Sequence, residues 1–139
     1  MMFNGFAQQQ HRGFSPGTLG LLMNPSHPIF KDFPTEFHSN WQWWPIIKNS
    51  RPIILDKTDQ KYRPIVQVMD NINRNYKLGI IFEFKIGKGK ILICPINFKA
   101  AEDKPEARQL YGSIIKYVKS DDFNPSTEIT FNDLKGIIY

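Results

Sequence analysis

The sequence has little of what would place it in several common classes of protein. Cys94 is its single cysteine, so no internal disulfide can form. No apolar run approaches the ~20 residues that cross a bilayer, and residues 1–10 lack the basic and then apolar pattern of a signal peptide. The lysines are scattered among acids although the net charge is +5. We therefore expect no membrane partner and no nucleic-acid partner.

Patterns that hold metals, phosphates or a reactive thiol are also missing. His11, His27 and His38 have no ligand-like spacing with one another or with Cys94, so we expect no metal site and no cofactor. The glycines of residues 87–90 lack the spacing and the Ser/Thr of a phosphate loop, and they predict a hairpin turn. Because Cys94 lies in an apolar strand with no sharp turn, we expect a buried structural thiol.

What the sequence does have is a dense aromatic block at residues 27–44, which contains all three tryptophans. Burying an indole contributes ~1.5–3 kcal/mol or more, so core packing is favoured over stacking against a sugar. Trp41 and Trp44 are three apart and are predicted to share an inward helical face, which leaves Trp43 as the candidate exposed ring. The polar side chains expected to bind the hydroxyl groups of a stacked sugar are His38, Asn40 and Gln42.

Runs of apolar, β-branched residues predict strands at 18–23, 52–56, 64–69, 76–86 and 90–96, although the first of these could also be a turn. A glycine turn at 87–89 joins the last two strands, so they are predicted to form an antiparallel hairpin. The period-two pattern places Ile80, Phe82, Phe84 and Ile86 on one face of the longer strand.

One long amphipathic helix is predicted over 105–119, from an apolar stripe at spacings of three and four. Asp103 and Glu106 resemble a capping box at its start, and Gly112 suggests a close approach to the sheet. Shorter helical turns are expected at 29–33, 40–48 and 132–138.

Several short sequence segments, which occur in the same order, resemble the C-terminal region of large family 2 glycoside hydrolases of the β-galactosidase type. They are HP (27–28), FPTEFHSNWQWW (33–44), PIVQVMDN (64–71), KLGIIFE (77–83), GKGK (87–90) and PEARQL (105–110). In those enzymes an accessory α/β domain, similar to class I glutamine amidotransferases, follows the catalytic barrel. The resemblance implies a mostly parallel sheet flanked by helices, and it covers roughly residues 17–125.

The expected fold is therefore α/β (or α+β): a partial amidotransferase-like layered sheet with a C-terminal β-hairpin followed by one long amphipathic helix. Residues 1–17 are expected to form a loose leading segment, 18–125 the accessory domain and 126–139 a C-terminal tail. The resembled domain begins with further strands and helices, so we expect an open sheet edge here that can pair with another chain.

The function that the resemblance implies is a non-catalytic accessory or assembly domain, which forms a homo-oligomer or docks on a glycosidase catalytic domain. The first alternative is a small carbohydrate-binding module that uses the Trp41–Trp44 block. The second is an independent glycosidase, for which a pair of side chains must face each other across the sugar. The resembled enzymes are usually periplasmic or secreted, so without a recognised signal peptide the compartment stays undetermined.

Catalytic residues are not carried over by the resemblance, because the catalytic carboxylates of those enzymes belong to the barrel. The candidates that the sequence itself offers for an independent glycosidase are Glu83 with Asp70, or Glu36 with His38. Carboxylates on the solvent side of a strand are ordinary, so for Glu83, which lies beside Lys85, a place in a charged face is favoured over catalysis.

Overall fold

A computed structural model describes residues 20–138 of the chain, so the leading segment expected at 1–17 lies outside the described residues. Within that range there are five strands, β1 (Gly20–Met23), β2 (Ile53–Ile54), β3 (Val66–Met69), β4 (Lys77–Ile86) and β5 (Gly89–Ile93). Three α-helices accompany them, α1 (Trp44–Lys48), α2 (Pro105–Lys119) and α3 (Phe131–Ile138). Two 3₁₀ turns occur at Pro28–Phe30 and Trp41–Trp43. The expected mixed α/β or α+β fold is confirmed.

Strand β4 is the centre of the sheet, whose strand order is β1-β3-β4-β2 with β5 also paired to β4. The predicted hairpin of β4 and β5 is confirmed, and Gly87 in its turn has a φ of +55°. The tail also joins the sheet, because the N–H of Lys85 donates to Thr127 O over 2.8 Å and the N–H of Ile129 donates to Lys85 O over 2.9 Å.

The pairs formed by the five described strands are all antiparallel, in contrast to the mostly parallel sheet that the resemblance implied. The connection between β3 and β4, residues 70–76, is too short for the crossover of a dozen or more residues that a parallel pair requires. The outer edge of β1 is partly covered, since the N–H of Met23 donates to Phe37 O over 3.0 Å and Leu22 bridges to His38.

A β-bulge in β4 interrupts the predicted alternation of its side chains. Val66 pairs with Ile81 and Gln67 pairs with Gly79, so Ile80 is an extra residue on β4. Ile80 and Ile81 are both fully buried in the larger core, whereas Phe82 lies in the smaller one. The predicted common face of Ile80 and Phe82 is therefore wrong.

The two cores cover opposite sides of the sheet, the larger one beneath α2 and the smaller one beneath Leu55, Tyr62 and the tail. The sheet and its cover are closely packed at Gly79, where a Cβ atom would lie 2.8 Å from Leu55 Cδ1. The close approach predicted at Gly112 is wrong, because a Cβ atom there would meet nothing within 4 Å.

Helix α2 has the predicted bounds, and its buried side chains are Ala107, Leu110, Ser113, Ile114 and Tyr117. Its N-cap is Lys104, which makes no side-chain capping hydrogen bond, so the predicted capping box is not formed. Ser113 Oγ donates to Ile29 O and ties α2 to the 3₁₀ turn at Pro28–Phe30. No helix within residues 20–138 has both the length and the apolar character needed to cross a membrane.

Candidate functional site

The three tryptophans take the opposite orientations to those predicted. Trp43 is fully buried, and its ring contacts Phe30 and Phe33 edge-on at centroid distances of 6.2 and 5.3 Å. Trp41 is 75% exposed and Trp44 is 37% exposed, so the face that they share points outward. Helical spacing gives the reason, because the buried Ile46 and Ile47 lie three and four residues after Trp43. That pattern was a signal in the sequence that the prediction missed.

The polar residues expected beside a stacked sugar hold the tryptophan turn together. Asn40 Oδ1 accepts from the N–H of Gln42 over 3.2 Å, as the N-cap of the turn. The side-chain amide of Gln42 donates to Pro34 O over 2.9 Å. His38 Nδ1 lies 3.2 Å from Ser39 O on the exposed surface. These contacts make the turn rigid and use polar groups that a sugar would need.

Asp70 is a structural carboxylate in the connection between β3 and β4. Its side chain is fully buried and forms an ion pair with Arg74. It also accepts from the backbone N–H groups of Asn71 and Tyr76, over 2.8 and 3.1 Å. Neighbouring residues therefore satisfy both the charge and the hydrogen-bonding capacity of the Asp70 carboxylate, which holds the two ends of this connection together.

The structure does not bring Glu83 and Asp70 together. Asp70 follows Met69, which pairs with Lys77 at the far end of β4 from Glu83. Six residues of extended strand span ~20 Å, about twice the longest separation of a glycosidase carboxylate pair, ~9.5 Å. The other predicted pair does meet, with Glu36 Oε2 3.5 Å from His38 Nε2, but both side chains are mostly exposed.

Glu83 lies instead in the lining of a groove of about 620 Å³, which we call the Glu83 groove. The groove is lined by β1, by the segment that precedes β3 and by the start of the tail. Its apolar lining includes Leu22, Phe37 and Ile65. Its charged lining includes Lys61, Arg63 and Glu83, and His27 lies beside Glu83. The Glu83 side chain is only 14% exposed.

Two neighbours orient the Glu83 carboxylate from the protein side. The hydroxyl of Tyr117 on α2 donates to Oε2 over 2.7 Å. His27 Nε2 lies 3.7 Å from the other oxygen, Oε1, which is too long for a direct hydrogen bond. His27 Nδ1 accepts from the N–H of Ile29 over 3.2 Å, so the neutral ring carries its proton on Nε2, which faces the carboxylate.

Two tyrosines at this site are held in the protonated form. Burial, followed by the hydrogen bond to Glu83 and its negative charge, raises the pKa of Tyr117 well above its usual range. Burial also raises the pKa of Tyr62, whose hydroxyl donates to Glu83 O over 3.0 Å and whose ring stacks on Phe84. Both hydroxyl groups donate to Glu83, one to its side chain and one to its backbone carbonyl.

His27 and Tyr117 were not predicted as partners of Glu83. Tyr117 extends the apolar stripe of α2, because it follows the buried Ile114 by three residues, and this spacing could have placed it on the inner face. No local sequence pattern places His27 beside Glu83, because His27 precedes a 3₁₀ turn in a distant part of the chain.

Cys94 is partly buried, and burial raises the pKa of its thiol to about 12. The raised pKa favours the thiol over the thiolate, which is the reactive form, and Cys94 is less buried than predicted. In the part of the chain that the structure describes, no three His, Cys, Asp or Glu side chains are grouped so that they could hold a metal ion.

Comparison with known proteins gives a match to one family model. The model described as "Domain of unknown function (DUF8487)" matches residues 2–139. No protein with a curated description matches the chain.

Proposed function

The chain belongs to the DUF8487 family, and we propose that it is a non-catalytic accessory or assembly domain related to the C-terminal region of family 2 β-glycosidases. Its partner in this proposal is the catalytic barrel of such an enzyme, because the sequence segments within residues 27–110 resemble the region that follows the barrel. The observation that carries the proposal is the outward face of the tryptophan turn.

That face presents Trp41, the more exposed of its two indoles, at 75% exposure. Tryptophan is among the side chains that contribute most to protein interfaces, where burial of its large ring excludes water. The turn beneath it is fixed by Asn40, Gln42 and the buried Trp43. A rigid anchor loses little conformational entropy on docking, which favours affinity.

The carboxylates support a non-catalytic role. Asp70 is bound by Arg74 and by backbone N–H groups, and it lies ~20 Å from Glu83 by strand geometry. Glu36 and His38 form an exposed surface pair. Each of these contacts has an ordinary structural explanation, so an independent glycosidase is the least supported reading.

The experiment is a titration of the purified chain against a family 2 β-galactosidase barrel whose own C-terminal region has been removed, followed by analytical ultracentrifugation. We expect a complex whose Kd rises at least tenfold in Trp41→Ala, a loss of ~1.4 kcal/mol. Ile72→Ala is the matched control, because Ile72 is 85% exposed and lies on the connection between β3 and β4. It should leave the Kd unchanged.

Two outcomes would count against the docking proposal. One is the absence of a complex between the wild-type chain and the barrel, or equal Kd values for wild type and Trp41→Ala. The other is hydrolysis of an aryl β-galactoside by the isolated chain at an enzyme-like rate that Glu83→Gln abolishes. Ultracentrifugation of the chain alone reports self-association in the same experiment.

Sugar binding at the tryptophan turn is the second candidate, and the exposed indole of Trp41 favours it because sugars stack their C–H faces on such rings. It ranks lower because Asn40 and Gln42 are bonded to the backbone of the turn. Quenching of tryptophan fluorescence by galactose, lost in Trp41→Ala, would support this candidate over docking.

A further inference from the structure

The Glu83 groove has the dimensions of a small-molecule site. Its volume of about 620 Å³ falls within the ~300–1,000 Å³ of typical ligand pockets. Phe37 is 68% exposed in its lining, although it is a large apolar ring. Trp41 and Trp44 are not among the residues that line the groove. The groove is therefore a second surface, separate from the outward face of Trp41.

One oxygen of the Glu83 carboxylate accepts a hydrogen bond, and the other has no donor within hydrogen-bond distance among the described residues. Tyr117 occupies Oε2 over 2.7 Å, while the nearest basic group to Oε1 is His27 Nε2 at 3.7 Å. Within residues 20–138, no lysine or arginine forms an ion pair with this carboxylate. A largely buried carboxylate with an open acceptor needs a donor from a ligand or from water.

A hydroxyl oxygen beside this pair, about 2.8 Å from Glu83 Oε1 and from His27 Nε2, is at hydrogen-bond distance from both atoms. It can donate its proton to Glu83 Oε1 and accept the Nε2–H of His27, because a hydroxyl is both a donor and an acceptor. The direct separation of 3.7 Å is too long for one hydrogen bond. The tautomer fixed by the N–H of Ile29 presents the required donor.

The lining of the groove carries charges of both signs, so a ligand of either charge meets a like charge there. Lys61 and Arg63 line the groove, so a cationic ligand is repelled by these two side chains. An anionic ligand meets the carboxylate of Glu83 in the same lining. A neutral ligand rich in hydroxyl groups avoids both penalties and can place a C–H face on Phe37.

We propose that the Glu83 groove binds a neutral polyhydroxylated ligand, of which a sugar ring is the type. One hydroxyl group of the ligand bridges Glu83 Oε1 and His27 Nε2, and the ring packs on Phe37. This site does not depend on docking to a barrel, and it differs from sugar stacking on Trp41.

The experiment is calorimetric titration of the isolated chain with D-galactose and with myo-inositol, a neutral polyol that is not a sugar. Butylamine and acetate serve as the cationic and anionic comparison ligands. We expect saturable binding of at least one neutral polyol, with the amine and the acid at least tenfold weaker. Glu83→Gln and Phe37→Ala should each weaken polyol binding at least tenfold.

Matched controls separate this site from the others. Glu36→Gln removes an exposed carboxylate outside the groove lining, and Trp41→Ala removes the exposed indole, and neither should change the affinity. If Glu83→Gln fails to fold, Phe37→Ala still tests the site, because this ring is exposed and lies outside both cores.

The proposal is overturned if neither polyol binds saturably, if butylamine or acetate binds more tightly, or if Phe37→Ala binds as wild type does. Loss of binding in Trp41→Ala alone would move the sugar to the tryptophan turn. The docking titration can fail while this one succeeds, because no barrel is present here.

Discussion

The Nε1–H of Trp43 donates to Thr35 Oγ1 over 2.9 Å, so the single polar atom of a fully buried indole is satisfied inside the core. Thr35 Oγ1 in turn donates to the sulfur of Met23 over 3.4 Å. Trp43 thus links the aromatic block to β1 while its two tryptophan neighbours face outward.

Truncation of this indole should be among the most damaging changes in the chain. We predict that Trp43→Ala lowers the free energy of unfolding by ~3–5 kcal/mol, because it opens a large cavity and leaves Thr35 without its donor. Trp41→Ala should change the same quantity by less than ~0.5 kcal/mol, as is usual for exposed sites. Urea denaturation of the three proteins measures both values, and equal losses for the two variants would contradict the assigned orientations.

Two glycines should respond in opposite directions to the same substitution. Gly79→Ala places a methyl group 2.8 Å from Leu55 Cδ1, so we expect a loss of ~1–3 kcal/mol from overpacking. Gly112→Ala lies in α2 with open space around it, and should gain up to ~1 kcal/mol through helix propensity. Thermal melts of both variants test the pair. A stabilised Gly79→Ala protein would show that the sheet and its cover are less closely packed there.

Removal of the buried Asp70 carboxylate should cost far more than removal of a partly exposed carboxylate in a surface ion pair. Asp70→Ala leaves Arg74 without its counter-charge and two backbone N–H groups without their acceptor, so we expect a loss of ~3–5 kcal/mol. Asp32→Ala breaks an ion pair of 2.8 Å with Lys116, whose side chain is mostly exposed, and should cost less than ~1 kcal/mol. Urea denaturation gives the comparison, and similar losses in the two variants would refute the structural role of Asp70.

Stability should decline in alkaline solution because of Tyr62 and Tyr117. Burial raises the pKa of each in the folded state, so above pH ~10 the unfolded chain releases protons that the folded chain keeps. Their contribution is therefore fully present below that pH and is lost as pH rises, by up to ~1.4 kcal/mol per pH unit for each tyrosine.

The measurement is the free energy of unfolding as a function of pH in wild type, Tyr62→Phe and Tyr117→Phe. Each variant should show a shallower alkaline decline than wild type. Between pH 6 and 8 the slopes should coincide, because neither tyrosine titrates there. If both variants lose unfolding free energy with pH as steeply as wild type does, other groups cause the alkaline decline.

The sequence by itself determined the elements whose signals lie within a few consecutive residues. The hairpin of β4 and β5 followed from two apolar strands and a glycine turn, and α2 followed from its 3.6-residue periodicity. The same kind of local pattern, Trp43 with Ile46 and Ile47, held enough information to bury the correct indole, but the spacing of Trp41 and Trp44 gave an equally regular face.

Only the tertiary structure decided which of those faces is covered and what surrounds Glu83. The bulge at Ile80 resets the alternation along β4, and α2 and the 3₁₀ turn bring Tyr117 and His27 to the carboxylate from distant parts of the chain. Local periodicity shows that a face is apolar or that a strand carries an acid. Burial and the identity of neighbours depend on which other elements pack there, and the packing of the whole chain determines that.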